Sequence, residues 1–243
     1  MRYLVKVSYK GNNYSGFQKQ NNNDTIQSRL ESALSEVLGE DITIVASGRT
    51  DAGVSAICQV CHVDTESEIN INRTLGYANS ILPRDIRVLE IIQVDESFHA
   101  RFSAKQKTYE YYFYVGNEIP IYEEFATNIG YNIDIDSMKM VCKEFQGEHD
   151  FTAFCSSNTE VKDKVRIICS INIESVNDNL YKLVITGNGF LYNMVRIIMG
   201  TIVNVGMGKI NKVDISNIIE SKDRNLAGKT MPAKGLVLKN VAY

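Results

Sequence analysis

Ile42-Thr43-Ile44-Val45-Ala46-Ser47-Gly48-Arg49-Thr50-Asp51-Ala52-Gly53-Val54-Ser55-Ala56-Ile57-Cys58-Gln59-Val60-Cys61-His62-Val63 is the stretch whose reading decides the fold. Two β-like segments, 42–46 and 56–63, flank a loop in which a cation and a carboxylate stand two positions apart between glycines. Gly48 and Gly53 admit backbone angles that other residues resist and let a ligand approach the main chain. The loop can therefore present Arg49 and Asp51 on a sharp turn. Two readings stand at this point: an Asx turn with an exposed ion pair, worth roughly 0 to 1 kcal/mol, or a place where chemistry is done.

Outward from this stretch the pattern alternates between periods. Before it, residues 2–9 alternate with period two, which predicts a strand. A turn at Gly11-Asn12-Asn13 follows. Asp24 or Thr25 can cap a helix whose apolar positions Ile26, Leu30, Ala33, Leu34, Val37 and Leu38 share one face, with Gly39 just past its end. After it, residues 70–80 suit a second helix, and Pro83 marks the turn into a strand over 86–94. The order β-α-β-β-α-β is the ferredoxin-like split βαβ arrangement, in which two helices cover one face of a four-stranded antiparallel sheet. The other face is left for a ligand.

Composition narrows the classes. The chain has 243 residues, 26 Lys and Arg against 29 Asp and Glu, and a formal net charge of −3. That length supports one large domain or two small ones. The charge balance gives no sign of a polyanionic partner, so such a partner would have to be met by a local basic patch. The start, Met1-Arg2-Tyr3-Leu4-Val5-Lys6, lacks the unbroken apolar region of a secretory signal. The most apolar run, 195–205, is far short of the roughly 20 residues that cross a bilayer. These features predict a cytoplasmic protein with no membrane span. Five cysteines among apolar neighbours suit reduced thiols. Cys58-Gln59-Val60-Cys61-His62 has the spacing of covalent haem attachment, yet it lies in a strand, where Cys58 and Cys61 point to opposite faces. With three histidines and no second cysteine pair at metal spacing, no metal site is expected.

The basic, aromatic stretch Ser97-Phe98-His99-Ala100-Arg101-Phe102-Ser103-Ala104-Lys105 joins this half to a strand over 107–115 and suggests a division into residues 1–105 and 106–243, each an α+β domain. In that strand Tyr109, Tyr111 and Phe113 share one face, and Tyr112 and Tyr114 the other. β propensity explains most of these rings as core; Tyr109, nearest the basic stretch, is the one that can meet a ligand. Residues 117–132 read as an irregular connection, 137–144 as a helix, 147–154 as a loop, and 165–175 and 180–186 as strands. Lys162, Lys164 and Arg166 form a basic cluster that could track phosphates or line a solvated edge. A helix over 191–205 carries Arg196 in an apolar stretch. A buried arginine calls for a carboxylate, because an unpaired buried charge costs several kcal/mol; snorkelling to solvent is the alternative. A short helix over 213–221 and a strand over 235–243 close the chain.

Several spaced motifs in one order carry a resemblance. They are Tyr9-Lys10-Gly11 with Tyr14-Ser15-Gly16-Phe17-Gln18-Lys19-Gln20, Ala46-Ser47-Gly48-Arg49-Thr50-Asp51-Ala52-Gly53-Val54, and Phe98-His99-Ala100-Arg101-Phe102-Ser103-Ala104 leading to Tyr109. Asp150-Phe151-Thr152-Ala153-Phe154, the run from Gly189 through Tyr192-Asn193-Met194-Val195-Arg196 to Gly200, and Ala233-Lys234-Gly235-Leu236 complete the set. Together they resemble the tRNA pseudouridine synthase A (TruA) family. The resemblance implies two ferredoxin-like halves forming a pseudouridine-synthase fold with a central cleft. It further implies isomerisation of uridine at positions 38, 39 and 40 of the tRNA anticodon arm, a homodimer that holds tRNA across both subunits, and no cofactor. The catalytic aspartate maps onto Asp51. Departures occur at Ser55, where the family often has histidine, at Phe17, where it has tryptophan, and near Lys229, where it has proline; they bear on RNA contacts or loop shape and on which positions are modified.

The reaction breaks the C1′–N1 bond, turns the uracil, joins C5 to C1′ and removes the C5 proton. Asp51 would act as a carboxylate nucleophile or as the base that begins glycal formation. A neighbouring cation favours the ionised carboxylate by roughly 1 to 3 pKa units, and Arg196 is the expected partner. Arg49 would then hold a phosphate or the flipped nucleotide, whose extrusion costs a few kcal/mol. Tyr109 would stack on the uracil and relay the C5 proton, or simply pack. Arg101, Lys105 and Lys107, with Lys162, Lys164 and Arg166, would bind the RNA backbone in a salt-sensitive way. Two other classes stay open: a non-catalytic RNA-binding module of this fold, and a glycoside hydrolase, which would need two carboxylates where this motif supplies one.

Overall fold

A computed structural model of the chain describes residues 1–21, 23–157, 159 and 161–243. Two compact units emerge, Met1–Lys105 together with Val237–Tyr243, and Gln106–Leu236. The first opens with β1 (Arg2–Tyr9), a 3-10 turn at Gly11–Asn13 and α1 (Ile26–Leu38). It continues through β2 (Val45–Ala46), β3 (Ser55–Asp64), α2 (Ile71–Ile81) and β4 (Ile86–Val94). β1 pairs antiparallel with both β3 and β4, so that Val5 faces Cys61 on one side and Ile91 on the other. This β-α-β-β-α-β order is the one read from the sequence.

Local chemistry sets the element ends. Of the two candidate caps for α1, Thr25 is the one used: its hydroxyl accepts the Ser28 N–H at 3.2 Å, and Gly39 closes the helix at φ 73°. Asn70 caps α2 by accepting the Arg73 N–H at 3.1 Å. The expected strand over 42–46 is reduced to the two residues of β2, which pair with Cys61 and His62. Ile42 and Ile44 are buried, but their N–H groups go to the Ser35 hydroxyl (2.9 Å) and the Glu31 carboxylate (3.0 Å). Side chains of α1 take the donors that a ladder would have used.

The second unit holds β5 (Gln106–Tyr114), β6 (Thr127–Asn128), α3 (Ile135–Val141), β7 (Gly147–Asp150), β8 (Val165–Ser175), β9 (Leu180–Gly187), α4 (Met194–Gly206) and α5 (Ile215–Ser221). Its antiparallel sheet runs β5-β9-β8-β7, with β6 parallel to the end of β5. Tyr111 and Phe113 are fully buried on one face of β5, and Tyr114 on the other, beneath Ala126, Leu180 and Tyr122. Three expectations are corrected here. Residues 147–154 contain a strand and a 3-10 turn rather than a loop, the helix expected over 137–144 is α3 followed by a 3-10 turn at Cys142–Phe145, and the connection 117–132 contains β6. The last strand, β10 (Leu236–Ala242), runs parallel to β3, pairing Val237 with Ser55 and Leu238 with Ala56. Val237–Tyr243 thus belongs to the first unit, whereas the division read from the sequence leaves it with the second.

Candidate active site

One buried amide fixes the loop between β2 and β3. Gln59 has no exposed surface, and its Oε1 accepts the Ser47 hydroxyl at 2.6 Å and the Val60 N–H at 3.1 Å. Its Nε2 donates to the Gly48 carbonyl at 3.0 Å. Both ends of the amide are used, which a buried amide requires. The middle of the loop is held from the side. Buried Thr50 shares a 2.8 Å hydrogen bond with the Tyr9 hydroxyl, and its carbonyl accepts the Phe17 N–H at 3.0 Å. A Cβ at Gly11 would lie 2.0 Å from the Val54 carbonyl oxygen, so only glycine allows that turn to lie against the loop.

With Thr50 anchored on both sides, its neighbours turn outward: Arg49 is exposed and Asp51 half-buried. Arg49 forms no ion pair or side-chain hydrogen bond among the described residues. The surface ion pair of Arg49 with Asp51 is therefore not what this loop builds. Ser55 accepts the Gly11 N–H through its hydroxyl at 3.0 Å, and Phe17 is buried 5.8 Å from the Tyr9 ring, so both departures lie in the support of the loop.

The turn over 98–103, also in the first unit, is held by three side chains from elsewhere in that unit. Arg2 donates to the Phe98 carbonyl at 2.8 Å, His62 Nδ1 accepts the Ala100 N–H at 3.1 Å, and the Tyr243 hydroxyl donates to the Ala100 carbonyl at 2.7 Å. Burial, then the Arg2 charge and His99, hold the His62 imidazole below its ordinary pKa. At the tip, Arg101 sits 5.8 Å from the Phe102 ring, which is 78% exposed. A cation over an open aromatic face is suited to a nucleobase or a phosphate. Lys105 is exposed beside it in sequence.

In the second unit Tyr109 is half-buried with its ring edge-on to Phe190 at 5.2 Å, and Lys107 is half-buried two residues earlier. Arg196 is half-buried on α4, donating from Nε to the Met231 carbonyl at 2.6 Å and from Nη1 to the Asn193 side chain at 2.7 Å. Asn193, at φ 61°, is one of three non-glycine residues in the left-handed region among those described. Its amide donates to the Ser156 hydroxyl at 2.8 Å. Lys162 is exposed, and Arg166 folds back onto the carbonyls of Asp163 and Val165. Cys61 is buried and Cys58 half-buried on β3, and burial raises the pKa of both thiols. No cluster of three or more His, Cys, Asp and Glu placed to hold a metal occurs among the described residues, nor a helix long and apolar enough to cross a membrane.

Sequence reasoning missed Gln59, Tyr9 and Asn193. The one available signal for Gln59 was an amide in the middle of a largely apolar strand; for Asn193 it was the position three residues before Arg196, while its backbone angle had no signal.

A family model described as tRNA pseudouridine synthase matches residues 6–103 and 141–243. The tRNA pseudouridine synthase A of Caldicellulosiruptor saccharolyticus is 46% identical over 241 residues, covering 99% of this chain and 98% of that protein. Those of Brevibacillus brevis and Bacillus subtilis are 43% and 42% identical, each covering 100% of this chain and 99% of the relative. Among solved structures, a chain of a Cbf5-Nop10-Gar1 complex aligns at a TM-score of 0.39 with 12% identity, covering 98% of this chain and 58% of that one.

Proposed function

The chain belongs to the tRNA pseudouridine synthase family, and on that premise we propose that it isomerises uridine to pseudouridine in tRNA with Asp51 as the catalytic carboxylate. The observation that carries the assignment is the build of the loop: Gln59 and Tyr9 fix Ser47, Gly48 and Thr50, and the half-buried Asp51 follows directly on that anchor. A reacting group held by buried hydrogen bonds loses little entropy on reaching its substrate.

The chemistry needs no net addition. The C1′–N1 bond breaks, the uracil turns, C5 bonds to C1′, and the C5 proton leaves while N1 regains one. Asp51 attacks as a nucleophile or removes a proton to start glycal formation. Tyr109, which offers a ring and a hydroxyl, is assigned to the uracil, and Arg196, whose guanidinium is oriented by Met231 and Asn193, to support of an anionic group. Arg49, Arg101, Lys105 and Lys107 are assigned to the RNA. The uridines modified are those at positions 38, 39 and 40 of the anticodon arm, and the working form is a cytoplasmic homodimer.

Asp51→Asn tests the core of this reading. Tritium release from C5-labelled uridine in tRNA should stop while tRNA binding is retained. Full turnover in the variant would remove Asp51 from the mechanism, and a wild-type protein that binds tRNA without releasing tritium would favour a non-catalytic RNA-binding module. Mapping pseudouridine in tRNA from cells with and without the protein reads the positions, and light scattering reads the oligomeric state.

A further inference from the structure

Beside the start of α4 the second unit has a polar cavity of about 550 Å³ whose wall includes Tyr192, Asn193, Ser157, Arg224, Lys229 and Thr230. Small-ligand pockets fall at roughly 300–1,000 Å³. Among the described residues two cations line it and no acidic side chain does. Elsewhere in this unit several lysines have carboxylate partners, among them Lys182 with Glu110, Lys222 with Asp150 and Lys234 with Glu123. Arg224 and Lys229 have no carboxylate partner among the described residues, and the Arg224 guanidinium reaches its neighbours only at long range, 3.4 Å to the Ala227 carbonyl and 3.3 Å to the Thr230 hydroxyl. A half-buried guanidinium with such weak partners is set for an anion.

The wall is rigid. A Cβ on Gly200 would come within 1.9 Å of the Lys229 carbonyl oxygen, and one on Gly228 within 2.3 Å of the Gly200 carbonyl carbon. The Gly228 N–H also donates to the buried Thr201 hydroxyl at 2.8 Å. The segment that carries Lys229 is thus pressed onto α4 by two glycines, and the pocket stands ready before any ligand arrives. Tyr192 adds a ring that is 46% exposed. Two cations, hydroxyls and an open aromatic face, with no carboxylate among the described lining residues, match a nucleotide: phosphate on the cations, base on the ring.

We propose that this cavity binds a nucleotide of the RNA substrate other than the target uridine, its phosphate on Arg224 and Lys229 and its base on Tyr192. The proposal rests on the reading of the chain as an enzyme acting on RNA, and Asn193 links the two, since it both lines the cavity and orients Arg196.

The test measures tRNA affinity against salt for the wild type, for Arg224→Gln with Lys229→Gln, for Lys229→Gln alone, and for a control, Lys209→Gln with Lys212→Gln, which removes the same charge from a different groove of this unit. Each phosphate contact contributes roughly 0.7–0.9 to the slope of log affinity against log salt, so the pocket variant should lose about 1 to 2 from its slope and raise the KM for tRNA about tenfold. Lys229→Gln alone, at an exposed position that cannot unfold the unit, should lose about half of that slope. Tyr192→Ser should weaken binding with the slope unchanged. Equal slopes in wild type and pocket variants, or an equal loss in the control, overturn the proposal. Wild-type turnover measured alongside keeps the two readings apart: tRNA binding without turnover sinks the enzymatic reading alone, while turnover with unchanged slopes sinks the pocket alone.

Discussion

Ala100 donates its backbone N–H to His62 Nδ1 at 3.1 Å, so the imidazole must be neutral for the turn over 98–103 to keep this bond. Burial first, then Arg2 and His99, lowers the folded-state pKa of His62 below the ordinary value near 6.5; Asp64 opposes the shift. The unfolded chain then takes up its proton first as the pH falls. The stabilisation is present above about pH 6.5 and is lost as the pH drops through the folded value. The denaturant midpoint should fall between about pH 7.5 and pH 5.5, and His62→Gln should flatten this change, because glutamine can accept the same N–H without titrating. An identical fall in both proteins would assign the pH dependence to other groups.

Gln59→Leu should weaken both the fold and the reaction. The substitution removes the amide that bonds the Ser47 hydroxyl and the Gly48 carbonyl. A buried polar group without its partner costs about 1–3 kcal/mol, which lowers the thermal midpoint. Because the freed groups sit three and four residues before Asp51, turnover should fall more than tRNA affinity. A variant with wild-type midpoint and turnover would show that the amide does not hold the loop.

The fold was legible wherever sequence pattern and local chemistry agree. α1 has a cap residue, an apolar face and a closing glycine, and it forms as read. β7 is Gly-Glu-His-Asp, which has no apolar alternation; it exists because β8 offers it a free edge, pairing Glu148 with Ile167. Residues 42–44 alternate as a strand should, yet the acceptors that claim the Ile42 and Ile44 donors are side chains on α1, which no period-two pattern shows. The loop of Arg49 and Asp51 was legible because glycines frame it. Its supports were not, since a buried Gln59 reads like any solvent-facing strand residue until its partners are placed. Asn193 depends on a left-handed backbone angle that no spacing announces.

Arg49→Gln should leave stability almost untouched. The side chain is exposed and forms no ion pair among the described residues, and surface changes of this kind stay within about 0.5 kcal/mol. If Arg49 holds a phosphate, tRNA binding should weaken and the salt slope should drop by about 1. A variant with unaltered binding would return Arg49 to the role of an ordinary surface residue.

Gly200→Ala and Gly76→Ala set helix propensity against packing. Both glycines lie inside helices, α4 and α2, where alanine is favoured by about 1 kcal/mol. At Gly76 a Cβ would meet nothing within 4 Å, so propensity decides and the variant should melt higher. At Gly200 the Cβ would lie 1.9 Å from the Lys229 carbonyl oxygen, a backbone atom that no rotamer change can move away. Overpacking there costs about 1–3 kcal/mol or more, which outweighs the propensity gain, and the same displacement shifts the segment that carries Lys229 and Met231, the latter an acceptor for Arg196. Gly200→Ala should therefore melt lower, by about 2–4 °C for each kcal/mol lost, and turn over more slowly. A stabilised Gly200→Ala variant would show that the 227–231 segment can move off α4 at little cost.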